Sequence, residues 1–101
     1  MKEMKFKSYD CVVKKTKYMN NGNLALMLLD KENGEMITLI TVNGNDKFPP
    51  DTALVKDYSE NEGMLEAITE AGLVEEVIGY APLGFVVAPI VKFNLTDIED
   101  M

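Results

Sequence analysis

Lys56–Val74, KDYSENEGMLEAITEAGLV, is the stretch on which the fold turns: it alone has a clear helical period, and strand-like runs flank it on both sides. Met64, Leu65, Ile68 and Ala71 recur at i, i+1, i+4 and i+7, which gathers them on one side of a helix. Ser59 followed by Glu62 has the capping-box spacing, in which hydroxyl and carboxylate each satisfy a free backbone N–H. Gly72 stands where a left-handed residue ends a helix. Gly63, early in the helix, costs about 1 kcal/mol relative to Ala, and close approach of another backbone, within the fold or at a partner, would explain it.

Upstream, Met4–Tyr18 reads as one long strand. Met4 and Phe6 share one face, Tyr9, Cys11 and Val13 take the other parity, and the phase change marks a bulge or bend near Ser8. Asn20-Asn21-Gly22 is a turn signal, because Asn and Gly accept positive φ. Leu24–Leu29 is a continuous apolar run suited to a central strand covered on both faces. After a second turn at Lys31–Gly34, the β-branched run Glu35–Asn43 reads as a third strand. Gly44–Thr52, with Pro49 and Pro50, is loop, and Ala53–Val55 makes a short strand before the helix.

Downstream, Glu75–Tyr80 is a weak strand, and Pro82-Leu83-Gly84 breaks the chain. Phe85–Leu95 is a strand interrupted by Pro89, which must lie at an edge or a bulge because proline donates no ladder bond. The acidic tail, residues 96–101, is expected to fray. The whole of 1–101 therefore reads as a single α+β domain: a twisted antiparallel sheet of five or six strands with one helix packed on one face.

Composition narrows the chemistry. The chain has no His, Trp or Arg. General acid–base catalysis most often uses His, and two-pronged phosphate clamps use Arg, so the inventory argues against an enzyme and calls for no cofactor. One cysteine, Cys11, with Val12 and Val13 beside it, forms no internal disulfide, supplies no zinc set and reads as a small core residue. No apolar run approaches the roughly 18 residues of a membrane span, and the lysines of MKEMKFKSYD precede no apolar signal core. A cytoplasmic protein without membrane contact is expected.

Net charge is −7, distributed unevenly. Residues 1–56 carry nine lysines against seven acids, and residues 57–101 carry Lys92 against ten acids. Such a chain should repel nucleic acid and attract basic surfaces.

Four candidate sites emerge. The first is the acidic helix face: Glu62, Glu66 and Glu70 repeat at i, i+4 and i+8, about 6 Å apart, with no cation interleaved. Like charges at this spacing cost a few tenths of a kcal/mol per pair, and Glu70 also opposes the negative end of the helix dipole. With the preceding acids and aromatic, Asp57, Tyr58 and Glu60, they form a partner-binding candidate, set against an ordinary solvated face. The second is Asp57–Glu62 as a metal loop; it lacks the calcium-loop pattern, and capping accounts for Ser59 and Glu62. The third is a basic face on the first strand from Lys5, Lys7, Lys15 and Lys17, with Phe6 and Tyr9 nearby, against edge protection by lysine. The fourth is an apolar contact patch from Pro82-Leu83-Gly84-Phe85 with Met19, Phe48 and Tyr80, against core packing and turn geometry.

The segments LALMLLDKENGEMITLITVN and VKDYSENEGMLEAITEAGLV together resemble a small bacterial family, domain of unknown function 4313. Its members are carried on plasmids, conjugative elements and prophages. The matching pieces, Leu24–Asp30 with Gly34-Glu35, Leu39–Asn43 and Lys56–Val74, span about half the chain. The family has no assigned catalytic residues, so the resemblance implies a context rather than an activity. Short acidic proteins of mobile elements are often antirestriction or anti-CRISPR proteins, whose targets hold nucleic acid in basic channels. The expectation is a non-enzymatic inhibitor of a type II RNA-guided nuclease, a basic protein partner. The alternatives are an antirestriction protein and an adaptor of plasmid maintenance or conjugation. An edge strand near Pro89 is where a homodimer would pair.

Overall fold

Nine strands and one α-helix run through the computed structural model, which describes residues 1–101. In chain order they are β1 (Lys2–Phe6), β2 (Tyr9–Lys17), β3 (Leu24–Asp30), β4 (Met36–Leu39), β5 (Thr41–Val42) and β6 (Thr52–Val55). A 3-10 turn over Ser59–Asn61 then leads to α1 (Met64–Glu70), β7 (Val74–Leu83), β8 (Val86–Phe93) and β9 (Glu99–Asp100). The fold is α+β. The strands divide between two mostly antiparallel sheets: β1-β2-β3-β4 with β9 alongside β2, and β5-β6-β8-β7.

The expected strand Glu35–Asn43 changes sheets in its middle. Ile40 donates its N–H to Leu26 O of β3 at 2.8 Å, and its carbonyl accepts Lys56 N–H at 2.8 Å. Its side chain is fully buried. One residue is thus bonded to both sheets, and a straight nine-residue strand could not be.

The phase change near Ser8 is a reversal rather than a bend. β1 and β2 form a hairpin with Phe6 opposite Tyr9, turning through Lys7 and Ser8. Lys7 takes φ +56°, a left-handed conformation usually reserved for Gly or Asn, so no residue there advertised a turn. The reversal also breaks up the expected basic face. Lys5 and Lys7 lie at one end of the hairpin, and Lys15 pairs with Leu26 in the middle of the sheet.

The helix expected between a Ser59 cap and Gly72 is shorter than its period. It is interrupted at Gly63, whose φ of +93° separates the 3-10 turn from α1. An added Cβ at Gly63 would meet nothing within 4 Å, so backbone conformation, not close approach, requires glycine there. Ser59 makes no capping bond. Asp57 takes that role from outside the helix, its Oδ1 accepting Leu65 N–H at 3.0 Å. The apolar stripe is where the period put it: Met64 and Ile68 are fully buried, with Leu65 and Ala71 packed against the same core. The C-terminus closes as expected at Gly72 (φ +80°). Leu73 N–H reaches Ile68 O at 2.9 Å and Gly72 N–H reaches Thr69 O at 3.1 Å, the paired bonds of a Schellman ending.

The tail is docked rather than frayed. Ile98 is buried in the core, β9 runs parallel to β2, and Met101 N–H donates to Lys15 O at 2.9 Å. Lys14 Nζ lies 2.8 Å from Glu99 Oε1, and this bond, with the N-terminal ammonium, holds the Glu99 carboxyl below its usual range. Cys11 is buried in the core, and burial pushes its thiol up. No helix is long and apolar enough to cross a membrane.

Replacing Ile40 by Ala should cost about 2–5 kcal/mol of unfolding free energy in a urea titration. Met36→Ala, at an exposed position of the same run, should cost under about 0.5 kcal/mol. Equal losses would show that the sheet junction does not depend on Ile40.

Candidate functional site

The run Lys56–Glu62 is held against the open edge of β4 by one side chain. Asn61 is fully buried. Its Nδ2 donates to Leu39 O at 2.6 Å, and its Oδ1 accepts the Thr38 hydroxyl at 2.8 Å. Asn61 therefore occupies hydrogen-bonding capacity that an edge strand would otherwise offer to another chain. Around it, Lys56 Nζ pairs with Glu60 Oε2 at 2.7 Å and sits 5.8 Å from the Tyr58 ring centroid. The hydrogen bond from Lys56 lowers the Glu60 carboxyl and raises the Lys56 ammonium.

The six expected partner-binding residues thus separate. Asp57 is a helix cap, and Glu60 is already neutralised by Lys56. Tyr58 lines an open cavity of about 560 Å³ with Tyr18, Met36, Ile37, Val42 and Lys56 among its walls. Glu62, Glu66 and Glu70 remain exposed and form no salt bridge. Glu62 lies before the helix, at φ −52° and ψ 128°, so the row is one loop carboxylate followed by two helical ones.

Cations lie close to this row, which its sequence neighbours gave no sign of. Lys5, Phe6 and Lys7 of the first hairpin line a shallow groove of about 280 Å³ together with Glu62, Glu66 and Glu70. Lys7 Nζ donates to Glu60 O at 2.6 Å and stands 5.3 Å from the Phe6 ring centroid, and Lys5 is 3.8 Å from Asp10. The signal for this juxtaposition was the parity break at Ser8, once that is understood as a reversal.

These depressions run into one another. A cleft lined by Phe6, Lys7, Ile37, Thr38 and Glu60 shares residues with the tyrosine-lined cavity on one side and the carboxylate groove on the other. The result is a furrow of three adjoining depressions, with residues 56–70 along its wall. Tyr18 at its apolar end hydrogen-bonds the Thr41 hydroxyl at 3.0 Å, and burial raises its pKa. The tyrosine-lined part was invisible in sequence because Tyr18 and Tyr58 lie far apart in the chain. Nowhere do three His, Cys, Asp or Glu side chains converge to hold a metal ion. The furrow offers carboxylates to cations and aromatic faces to cation or ring contacts.

Of the fourth candidate patch, Met19, Tyr80, Pro82 and Phe85 are exposed, and Phe48 and Leu83 are half-buried. No family model, curated protein or solved structure matches the chain.

Asn61→Ala should lower stability by about 1–3 kcal/mol, because it leaves the Leu39 carbonyl and Thr38 hydroxyl unpaired. Asn61→Asp, which removes the donor and buries a carboxylate, should lose at least as much at pH 7 and recover part of that loss at pH 4. Denaturant titrations at both pH values check this; an Asp variant as stable as the parent at pH 7 overturns the anchoring role.

Proposed function

We propose that this chain is a non-enzymatic acidic binding protein of a mobile genetic element. In the bacterial cytoplasm it inhibits a host defence nuclease, an RNA-guided enzyme of type II, by occupying a basic nucleic-acid-binding surface. The observation that carries this reading is the row Glu62, Glu66 and Glu70: exposed, free of salt bridges and stepped along one wall of a furrow. A helix selected only for stability would place lysine near its C-terminus, where Glu70 stands. The unfavourable terms are small, a few tenths of a kcal/mol each, and a basic partner would reverse their sign. The resemblance of Leu24–Asp30 and Lys56–Val74 to proteins of mobile elements supplies the context.

Lys5 and Lys7 shape how this is tested. Reversal of the three glutamates to lysine would set new cations against those already in the groove and confound binding with folding. Glutamine keeps size and hydrogen bonding while removing charge.

DNA cleavage by a purified RNA-guided nuclease is measured with the protein added before or after guide RNA. The parent should inhibit, and E62Q/E66Q/E70Q should raise the half-inhibitory concentration at least tenfold. Inhibition by the parent should weaken from 50 to 500 mM salt as screening shortens the reach of the carboxylates. Undiminished inhibition by the triple variant removes the carboxylate mechanism, and no inhibition of several such nucleases removes the class.

A second reading, an adaptor of plasmid maintenance or conjugation, is favoured by the exposed apolar residues of the β7–β8 hairpin. An adaptor's binding to another element-encoded protein would tolerate the glutamine substitutions.

A further inference from the structure

The β7–β8 hairpin carries an apolar face that runs off the end of the core. Paired residues of an antiparallel ladder share a face, so Val91, Pro89 and Val87 of β8 align with Val77, Tyr80 and Pro82 of β7. At its base this face is core: Val91 and Phe93 are fully buried. β6 pairs with β8 only as far as Leu54 opposite Ile90. Beyond that point the same face opens: Pro89 is still buried, but Val87 is 61% and Tyr80 64% exposed, with Pro82 exposed beside them. At the tip, Gly84 at φ +62° turns the chain and leaves Phe85 wholly in solvent.

The opposite face of the hairpin is more closely packed, with Gly79, Ala81, Leu83, Val86 and Ile90 half-buried. Ala88 is fully buried. Leu54 and Leu83 converge on the loop at Gly44, where an added Cβ would lie 3.1 Å from Leu54 Cδ1 and 3.7 Å from Leu83 Cδ2. The two faces therefore differ in degree: from Gly79 opposite Ile90 to the tip, none of the paired residues on this one is exposed, whereas Val77, Tyr80, Pro82 and Val87 of the other are.

We infer that the open face is the contact of a symmetric homodimer, one copy's β7–β8 hairpin stacked on another's. Taking about 150–250 Å² for each fully exposed aromatic and less for Val and Pro, the open face and tip present on the order of 600 Å². That is the upper end of what a monomer leaves exposed. Two such surfaces bury about 1,200 Å², the lower bound of a specific interface. Val77–Val91 contains no charged residue, so two chains of net charge −7 can meet there without placing like charges in contact. A strand face of Tyr, Pro and Val can stack on its own copy under a two-fold axis, and that contact closes.

The contact is stacking rather than edge pairing. The outer edge of β7 carries Pro82, which has no N–H, and bulges where Glu75 and Ile78 interrupt the register. These are the features that keep an edge strand from pairing.

Sedimentation velocity on the full chain, from 1 to 200 μM, tests the inference. The parent should move from the 11.3 kDa monomer toward twice that mass over this range. Raising salt from 50 to 500 mM should strengthen association, because it screens repulsion between like-charged copies; this is opposite in sign to the nuclease interaction proposed above. Val87→Lys and Tyr80→Lys, at exposed positions, should each weaken dimerisation at least tenfold with unchanged circular dichroism. A parent that stays monomeric at 200 μM in 500 mM salt, or lysine variants that dimerise like the parent, overturns the proposal. Neither result bears on the carboxylate row.

Discussion

Ile40 is the residue on which both sheets depend. Its N–H belongs to the first sheet through Leu26, its carbonyl to the second through Lys56, and its side chain to the core between them. A backbone residue has one donor and one acceptor, and here they point to different sheets. The handover lets β4 end and β5 begin without a loop. It also delivers Lys56, the first residue of the furrow wall, to a defined position. Thr41 reinforces the junction: its hydroxyl accepts Leu26 N–H at 3.2 Å and exchanges a hydrogen bond with Tyr18.

From that junction the KDYSENEG segment is built as a fastening. Asp57 caps the helix, Glu60 is tied to Lys56, Asn61 plugs the edge of β4 and Gly63 supplies the left-handed link. Every buried side-chain nitrogen and oxygen has a hydrogen-bond partner, so the segment is pinned without leaving such a group unpaired. What this leaves unexplained by stability is the carboxylate row just beyond it. A second clamp works at the other end of the sheet junction. Asn23 donates to Asn43 Oδ1 and Asp46 O and accepts Phe48 N–H, so the turn after β2 holds the loop that leads into β6. The asparagines that signal turns in the sequence are also the side chains that lock those turns to one another.

The chain carries two surface features of opposite character. The furrow carries charge, with carboxylates and lysines beside tyrosines, and the binding proposed for it would weaken as salt rises. The hairpin face is uncharged and apolar, and the association proposed through it would strengthen as salt rises. They lie on different elements, α1 with β1 and β7 with β8, so each can be altered with the other intact.

By itself the sequence determined the α+β class, the central strand over Leu24–Leu29, the turns at Gly22 and Gly34, the buried stripe Met64–Ile68 and the helix end at Gly72. Each rests on a local rule: apolar periodicity, positive φ at glycine, or an αL ending that satisfies the last carbonyls. Only the tertiary structure decided the rest. The reversal at Lys7-Ser8 uses a lysine in a left-handed conformation, which no local preference predicts, and tertiary bonds such as Lys7 to Glu60 O hold it. The sheet switch at Ile40 and the docking of Ile98 follow from burial shared with distant strands, and the lysines beside Glu66 and Glu70 arrive from far along the chain. Period and propensity describe neighbours in sequence, whereas sheet partners, groove walls and uncovered faces are set by which distant surfaces exclude water together.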